Sequence, residues 1–299
     1  MNVAAGSATE TPSIRPMPGP FGAWVDDVDL QRPVDDDTIR LLTDALWSHR
    51  ILVLPNQYLS DTQYVDFGGC WGEPIEFFVP SARLADHPEI IRIRNSPAVP
   101  PESRDGAMHW HSDSSYEAVP AMVTMLYGVE IPTSGNDTLF LDTVAAYAAL
   151  DSDLKKRIAD LAVIHDPSGG KVTFDGEVRG RGRHDDLPVV THPLVARHPV
   201  VGRKSLYGFS GTAAGIVGMP EGEALELLIQ LKRFALQDRF RQRARCDVGS
   251  VLIWDNWSVL HSATPTCYSN ADGERRLIHR ISTRGVPAVC TATAAAGAR

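Results

Sequence analysis

Met108-His109-Trp110-His111-Ser112-Asp113-Ser114 sets an imidazole and a carboxylate two residues apart. On an extended strand residues i and i+2 project from one face, so this spacing predicts that His111 and Asp113 converge on one point. An imidazole nitrogen with a carboxylate oxygen suits a borderline divalent metal such as Fe(II). One more histidine would complete a two-histidine, one-carboxylate set that leaves coordination positions free. Further along, His261 closes the stretch Trp254-Asp255-Asn256-Trp257-Ser258-Val259-Leu260-His261. A strand, a polar Asp-Asn turn and a return strand would put it on the rim of a β core. His109 faces the same way as His111 and Asp113, so a His109/His111/Asp113 site is a competing arrangement.

A second cluster follows in Arg275-Arg276-Leu277-Ile278-His279-Arg280. On a strand Arg276, Ile278 and Arg280 share a face, which directs two guanidiniums into one space. The planar fork of a guanidinium donates two parallel hydrogen bonds and is a natural partner for a carboxylate or sulfonate. Two such groups near a metal point to anions on more than one bound molecule.

The surrounding pattern is mostly β with flanking helices. Asp35 to Arg50 reads as a helix, with Asp residues at its start and Ile39, Leu42, Leu46 and Trp47 in an apolar stripe. Ile51–Leu54 is a buried strand stopped by Pro55, and Ser60 caps a second helix that ends at Gly68-Gly69. Further helices are predicted over Thr143 to Leu161 and Glu221 to Leu236. Strands are predicted at Val123 to Val129, Thr138 to Leu141, Arg239 to Arg245, Ser250 to Trp254 and Leu277 to Thr283. Short strands with a few packed helices predict a barrel or sandwich core. Asp166 to Asp186, rich in Gly, Arg, Asp and Lys, reads as a long loop of the kind that forms lids.

The 299 residues contain no internal repeat or linker and are read as one domain, 1–299, with disordered tails at 1–17 and 289–299. A net charge of −8 argues against nucleic acid and anionic membrane as partners. Cys70, Cys246, Cys267 and Cys290 are far apart, without the spacing of a zinc cluster or a disulfide framework. No apolar run reaches transmembrane length, and Met1 to Arg15 lack the features of a signal peptide, so a cytoplasmic protein is expected. From the residues alone, an iron oxygenase with another cosubstrate and a β-barrel metal-binding or sensor protein remain open.

From about Pro20 to Gly285 the chain resembles the taurine dioxygenase and chlorophenoxyacetate dioxygenase family (TauD/TfdA). Gly22-Ala23 with Val28-Asp29-Leu30 and Pro33 is similar to its opening stretch. Trp110-His111-Ser112-Asp113 matches its W-H-x-D motif, and Gly135-Asn136-Asp137-Thr138 resembles its G-G-D-T element. His192-Pro193-Leu194-Val195, Gly202-Arg203-Lys204 with Leu206-Tyr207, and Trp254-Asp255-Asn256 with His261, Arg276 and Arg280 follow in the family's order. The resemblance implies a double-stranded β-helix (jelly-roll, cupin-like) core and a dioxygenase that uses Fe(II), 2-oxoglutarate and O2 to oxidise a small, anionic organic substrate, releasing succinate and CO2. It implies His111, Asp113 and His261 as metal ligands, and Thr138 and Arg276 as holders of 2-oxoglutarate. Arg280 is implied to grip the substrate's anionic group, with an approach to the cosubstrate also open. The His261-to-Arg276 spacing is longer than in the taurine enzyme, which implies an insertion around Cys267 to Gly273. His109, Ser114, Tyr116, Phe77 and Phe78 are candidates for the substrate pocket. A homodimer or homotetramer is the implied assembly.

Overall fold

The computed structural model describes residues 11–99, 107–172 and 187–290. Two facing β-sheets form its centre. The larger has the strand order Ser13–Pro16, Ala23–Asp26, Ile51–Leu54, Val251–Asp255, Val123–Glu130, Leu277–Arg284 and Glu73–Pro74, with Ile91–Arg94 also paired to Leu277–Arg284. The smaller holds Arg241–Arg245, Asp137–Asp142 and Val259–Ala263. This is a mostly β jelly roll, as expected, and its sheets do not close into a barrel.

Period-two alternation divides the large sheet into two faces. Leu126, Leu252, Trp254 and Ile278 point inward and meet Phe140, Ala244 and Val259 of the small sheet. Val123, Met125, Val251, Ile253 and Ile281 point outward, beneath two helices. The first, α1 (Asp36–His49), starts where Asp35 accepts a hydrogen bond from the Thr38 N–H at 2.7 Å. It buries Ile39, Leu42, Leu46 and Trp47. The second, α2 (Asp61–Gly69), starts at a reciprocal Ser60–Gln63 capping box. Each fully buried aliphatic side chain here contributes roughly 1.5–3 kcal/mol.

Three expectations need correction. The helix predicted over Thr143 to Leu161 is two helices, α3 (Thr143–Ala148) and α4 (Ser152–Ile158). Asp151 starts the second by accepting from the Asp153 and Leu154 N–H groups at 3.0 and 2.8 Å, which resets the helix axis. The strand predicted from Arg239 begins at Arg241, after a 3₁₀ turn over Asp238–Phe240. The described parts of the two predicted tails, residues 11–17 and 289–290, are also packed onto the fold. Ser13–Pro16 pairs with Ala23–Asp26, Met17 is buried, and Val289 packs on the outer core beneath the helices.

Helix α5 (Glu221–Ala235) begins at Pro220 and covers the far side of the small sheet through Leu227, Leu228 and Leu231. The predicted lid loop falls largely outside the described residues. Its described start is tied down, the Asp166 and Lys171 N–H groups donating to the Thr212 and Ala213 carbonyls at 3.0 and 2.7 Å. Among the described residues no helix is long and apolar enough to cross a membrane.

Candidate metal and anion site

His111 and Asp113 converge, but not on a strand. His111 makes a single antiparallel bridge with His261, each N–H donating to the other's carbonyl at 3.0 and 2.9 Å. The chain then turns, with Ser114 in the left-handed region at φ 53° and its carbonyl accepting from the Glu117 N–H at 2.8 Å. It is fixed from the turn that follows Val251–Asp255. Ser112 Oγ donates to the Asn256 carbonyl at 2.9 Å, and the Asp113 N–H donates to Asn256 Oδ1 at 3.2 Å. Local hydrogen bonding of short polar side chains therefore replaces the extended geometry that the spacing predicts.

Asn256 is itself held. The Trp257 N–H donates to Asp255 Oδ1 at 2.9 Å, and Ser258 Oγ donates to the other oxygen of the same carboxylate. His198 accepts from the Val200 and Val201 N–H groups on Nδ1, leaving Nε2 to face Asp255 Oδ2 at 3.3 Å. This buried cluster shapes the turn that sends the chain back along Val259–Ala263 and brings His261 to the site.

His111, Asp113 and His261 form one group whose ligand atoms all lie within 4.8 Å of one another. His111 Nε2 is 3.8 Å from Asp113 Oδ1, and His261 Nε2 is 3.6 Å from Asp113 Oδ2. His261, rather than His109, completes the set, and the His109 ring instead lies 4.7 Å from that of His111. His111 Nδ1 contacts the His109 carbonyl at 2.8 Å, so its proton sits there and the Nε2 lone pair faces Asp113. Trp254 and Phe140 wall the His261 ring at centroid distances of 4.6 and 6.2 Å.

Electrostatics put these groups in the protonation states that a metal needs. Burial, reinforced by His261, pushes His111 down to about 3, and burial takes His261 to about 4, so both are neutral at physiological pH. Burial would raise the Asp113 carboxyl, but Arg280, His261 and His111 together hold it well below the usual carboxylate range. Thr124 Oγ1 donates to Asp113 Oδ2 at 2.7 Å, while Arg280 lies 3.2 Å from Oδ1. Two neutral imidazoles and an ionised carboxylate fit a divalent ion such as Fe(II), with His111 and Asp113 oriented by hydrogen bonds from behind and the His261 ring held by its aromatic walls.

The two arginines differ. Arg280, on the inward face of Leu277–Arg284, pairs with Asp113 and donates to Ser282 Oγ at 3.2 Å. Arg276 precedes that strand, next to a register shift between Leu277 and Ile278. Its side chain is buried, its Nε has no hydrogen-bond partner, and among the described residues no carboxylate pairs with it. Burial lowers its guanidinium to about 10. An uncompensated buried charge costs several kcal/mol, so this one fits a bound carboxylate. Thr138 lies on the inward face of Asp137–Asp142, paired with Ala263 and Ala244. The strand Arg241–Arg245 runs on into Cys246, the thiol beside Arg276, so Thr138 and Arg276 occupy the same end of the sandwich.

Among the pocket candidates, Tyr116 lies beside Arg280, and burial pushes its phenol up to about 12. It bonds Ser114 and packs edge-on against Phe78, with centroids 6.1 Å apart. Phe77 backs Phe78 at 4.2 Å, one layer further out. Thr124 and Asn256 carry no role in the motif reading, yet they hold Asp113. Thr124 had a legible signal, a lone hydroxyl within the apolar run Met122–Leu126.

Two imidazoles and a carboxylate on a jelly roll, with a buried arginine in the same sandwich that no carboxylate among the described residues pairs with, fit a mononuclear non-haem metal oxygenase that takes an anionic cosubstrate. Residues 13–282 match the family described as taurine catabolism dioxygenase TauD, TfdA family. The chain is 34% identical to the (S)-phenoxypropionate/alpha-ketoglutarate-dioxygenase of Sphingobium herbicidovorans, over 94% of this chain and 98% of the relative. It is 31% identical to the alpha-ketoglutarate-dependent 2,4-dichlorophenoxyacetate dioxygenase of Cupriavidus pinatubonensis, over 81% and 88% of the two chains. The crystal structure of AAD-2 in complex with Mn(II) and N-oxalylglycine superposes with a TM-score of 0.77 at 26% identity, covering 92% of this chain and 97% of that one. The chain belongs to the TauD/TfdA family and is a dioxygenase dependent on Fe(II) and 2-oxoglutarate.

Proposed function

We propose that His111, Asp113 and His261 hold Fe(II), that Arg276 and Thr138 hold the distal carboxylate of 2-oxoglutarate, and that the substrate is a small organic monoanion with an apolar body of about aryl size. When bound, iron with 2-oxoglutarate supplies O2-dependent oxidation of a substrate C–H bond, coupled to release of succinate and CO2. The chain's own residues position and enclose. Thr124 fixes the Asp113 carboxylate and Asn256 its backbone N–H, and Trp254 and Phe140 keep water from the His261 ring. Arg276 offers a buried cation that no carboxylate among the described residues pairs with, which suits a bound carboxylate.

The observation that carries the substrate reading is the row Phe78–Tyr116–Arg280, an aromatic wall ending in a cation at the metal group. Two relatives named for phenoxyalkanoates support it. His109 and Ser114 complete the surround, and Phe77 supports Phe78 from behind. The reading includes hydroxylation, or hydroxylation-driven cleavage or desaturation, at the attacked carbon, a homodimer or homotetramer, and a cytoplasmic setting, the last supported by four unpaired cysteines.

The test is succinate release across aryloxyalkanoates, alkyl sulfate esters and short aminosulfonates, with and without Fe(II). Aryl monoanions should give the fastest Fe(II)-dependent release, and Arg280→Ala should raise their KM about tenfold or more, as loss of a charge-assisted contact does. Preference for an aminosulfonate, or an unchanged KM in the variant, defeats the substrate assignment. Turnover that survives His111→Ala defeats the metal assignment.

A further inference from the structure

The segment between His261 and Arg276 is held by one buried side chain from elsewhere in the chain. Asn95 is 2% exposed, and both of its side-chain donors and its side-chain oxygen are engaged. Its Nδ2 donates to the Cys267 carbonyl at 2.8 Å and to the Glu274 carbonyl at 2.9 Å. Its Oδ1 accepts from the Arg276 N–H at 2.8 Å, and its own carbonyl accepts from the Ser269 N–H at 3.2 Å. Asn95 directly follows Ile91–Arg94, whose Arg94 pairs with Leu277, so it stands opposite Arg276 where that ladder ends. The loop it clasps also folds on itself. Ser269 Oγ donates to Glu274 Oε2 at 2.7 Å, and the Glu274 N–H donates to the Ala271 carbonyl at 3.1 Å.

We propose that Asn95 is a positioning residue for the cosubstrate: it clamps the 267–274 loop and the Arg276 backbone so that the Arg276 guanidinium is fixed where the distal carboxylate of 2-oxoglutarate binds. The inference rests on the reading of Arg276 given above. A carboxamide is the side chain this clamp needs, because one planar group must donate twice and accept once. Arg276 lacks a side-chain hydrogen bond on Nε, so its aim depends on its backbone. Slack in the loop would therefore pass directly into the guanidinium, and misplacement by about an ångström is costly at such a site.

The test measures, by calorimetry on the intact Mn(II)-loaded protein, the Kd of 2-oxoglutarate, and separately the Kd of Mn(II), for wild type, Asn95→Ala, Arg276→Ala and the double variant. Asn95→Ala should weaken 2-oxoglutarate about tenfold while leaving Mn(II) within about twofold. The double variant should bind little worse than Arg276→Ala alone, because Asn95 acts through Arg276. Wild-type affinity for 2-oxoglutarate in Asn95→Ala, an equal loss of Mn(II) affinity, or additive losses in the double variant would each overturn the inference. Asn95→Asp, which keeps the acceptor for the Arg276 N–H but loses both donors, gives the same readout if the alanine variant does not fold. If Arg276→Ala itself binds 2-oxoglutarate normally, the reading of Arg276 fails. If only the Asn95 variants bind normally, this inference alone fails.

Discussion

Thr124→Val replaces a hydroxyl by a methyl of nearly the same shape at a position with no solvent exposure. Three contacts disappear together: the donor to Asp113 Oδ2 at 2.7 Å, the acceptor for Asn256 Nδ2 at 2.9 Å and the link to Ser282 Oγ at 3.0 Å. A hydrogen bond to a charged group contributes about 1.5–3 kcal/mol, and the stranded Asn256 donor costs about 1–3 kcal/mol more. The apoprotein should therefore unfold at lower urea concentration. Metal binding should also suffer, because the Asp113 carboxylate keeps Arg280 on one oxygen and loses its restraint on the other. Partners that orient metal ligands typically account for 10–100-fold in affinity, or about 1.4–2.7 kcal/mol. Titration with Mn(II), following free ion by electron paramagnetic resonance, should show that loss in Thr124→Val. Thr124→Ser, which keeps the hydroxyl, should stay within about threefold of wild type. If Thr124→Val binds Mn(II) within about twofold of wild type, the hydroxyl does not orient the ligand and the reasoning is refuted.

Further outcomes follow from the same structure. Arg276→Lys keeps the charge but loses the two-pronged fork, so the KM for 2-oxoglutarate should rise about tenfold with little change in kcat, read by succinate release; an unchanged KM would show that the fork is not used. Ile281→Ala removes a fully buried side chain beneath α2 and should cost about 2–5 kcal/mol in urea unfolding; a loss below about 1 kcal/mol would mean that the site collapses to fill the gap. Gly208 has φ +66°, and a Cβ there would lie 2.6 Å from His165 Nε2, whose ring is fixed by Thr212. Gly208→Ala should therefore lower stability by about 1–3 kcal/mol, checked by thermal denaturation, and a wild-type Tm would contradict the crowding.

The sequence and the structure agree where a residue's chemistry is local. Helix α1 is readable because Asp35, the acidic first turn and the apolar stripe lie within one short segment. His111, Asp113 and His261 are readable because few residue types make such ligands. Agreement fails where distant partners decide. The i, i+2 spacing of His111 and Asp113 is compatible with a strand or a turn, and only Asn256, 143 residues away in sequence from Asp113, selects the turn. Asp151 had the cap signature of a new helix, but the apolar positions on either side made one helix look continuous. Asn95 gave no local sign, since its partners at Cys267, Glu274 and Arg276 lie 172, 179 and 181 residues away.

Charge balance connects these parts into a reason for the sign proposed for the substrate. Among the described residues, the charges assigned to the site are one carboxylate, Asp113, and two guanidiniums, Arg276 and Arg280, an excess of one positive. A divalent ion raises that excess to three, and 2-oxoglutarate, a dianion, lowers it to one. A neutral substrate would leave the remaining charge enclosed in a partly desolvated site, where an unpaired charge is expensive. A monoanion cancels it, with Arg280 beside Tyr116 of the aromatic wall. A dianion would overshoot and crowd the Asp113 carboxylate. On this argument a substrate series differing only in charge should turn over fastest at one negative charge, and Arg280→Gln should shift the preference toward the neutral member. An equal loss for every member would mean that Arg280 serves Asp113 alone.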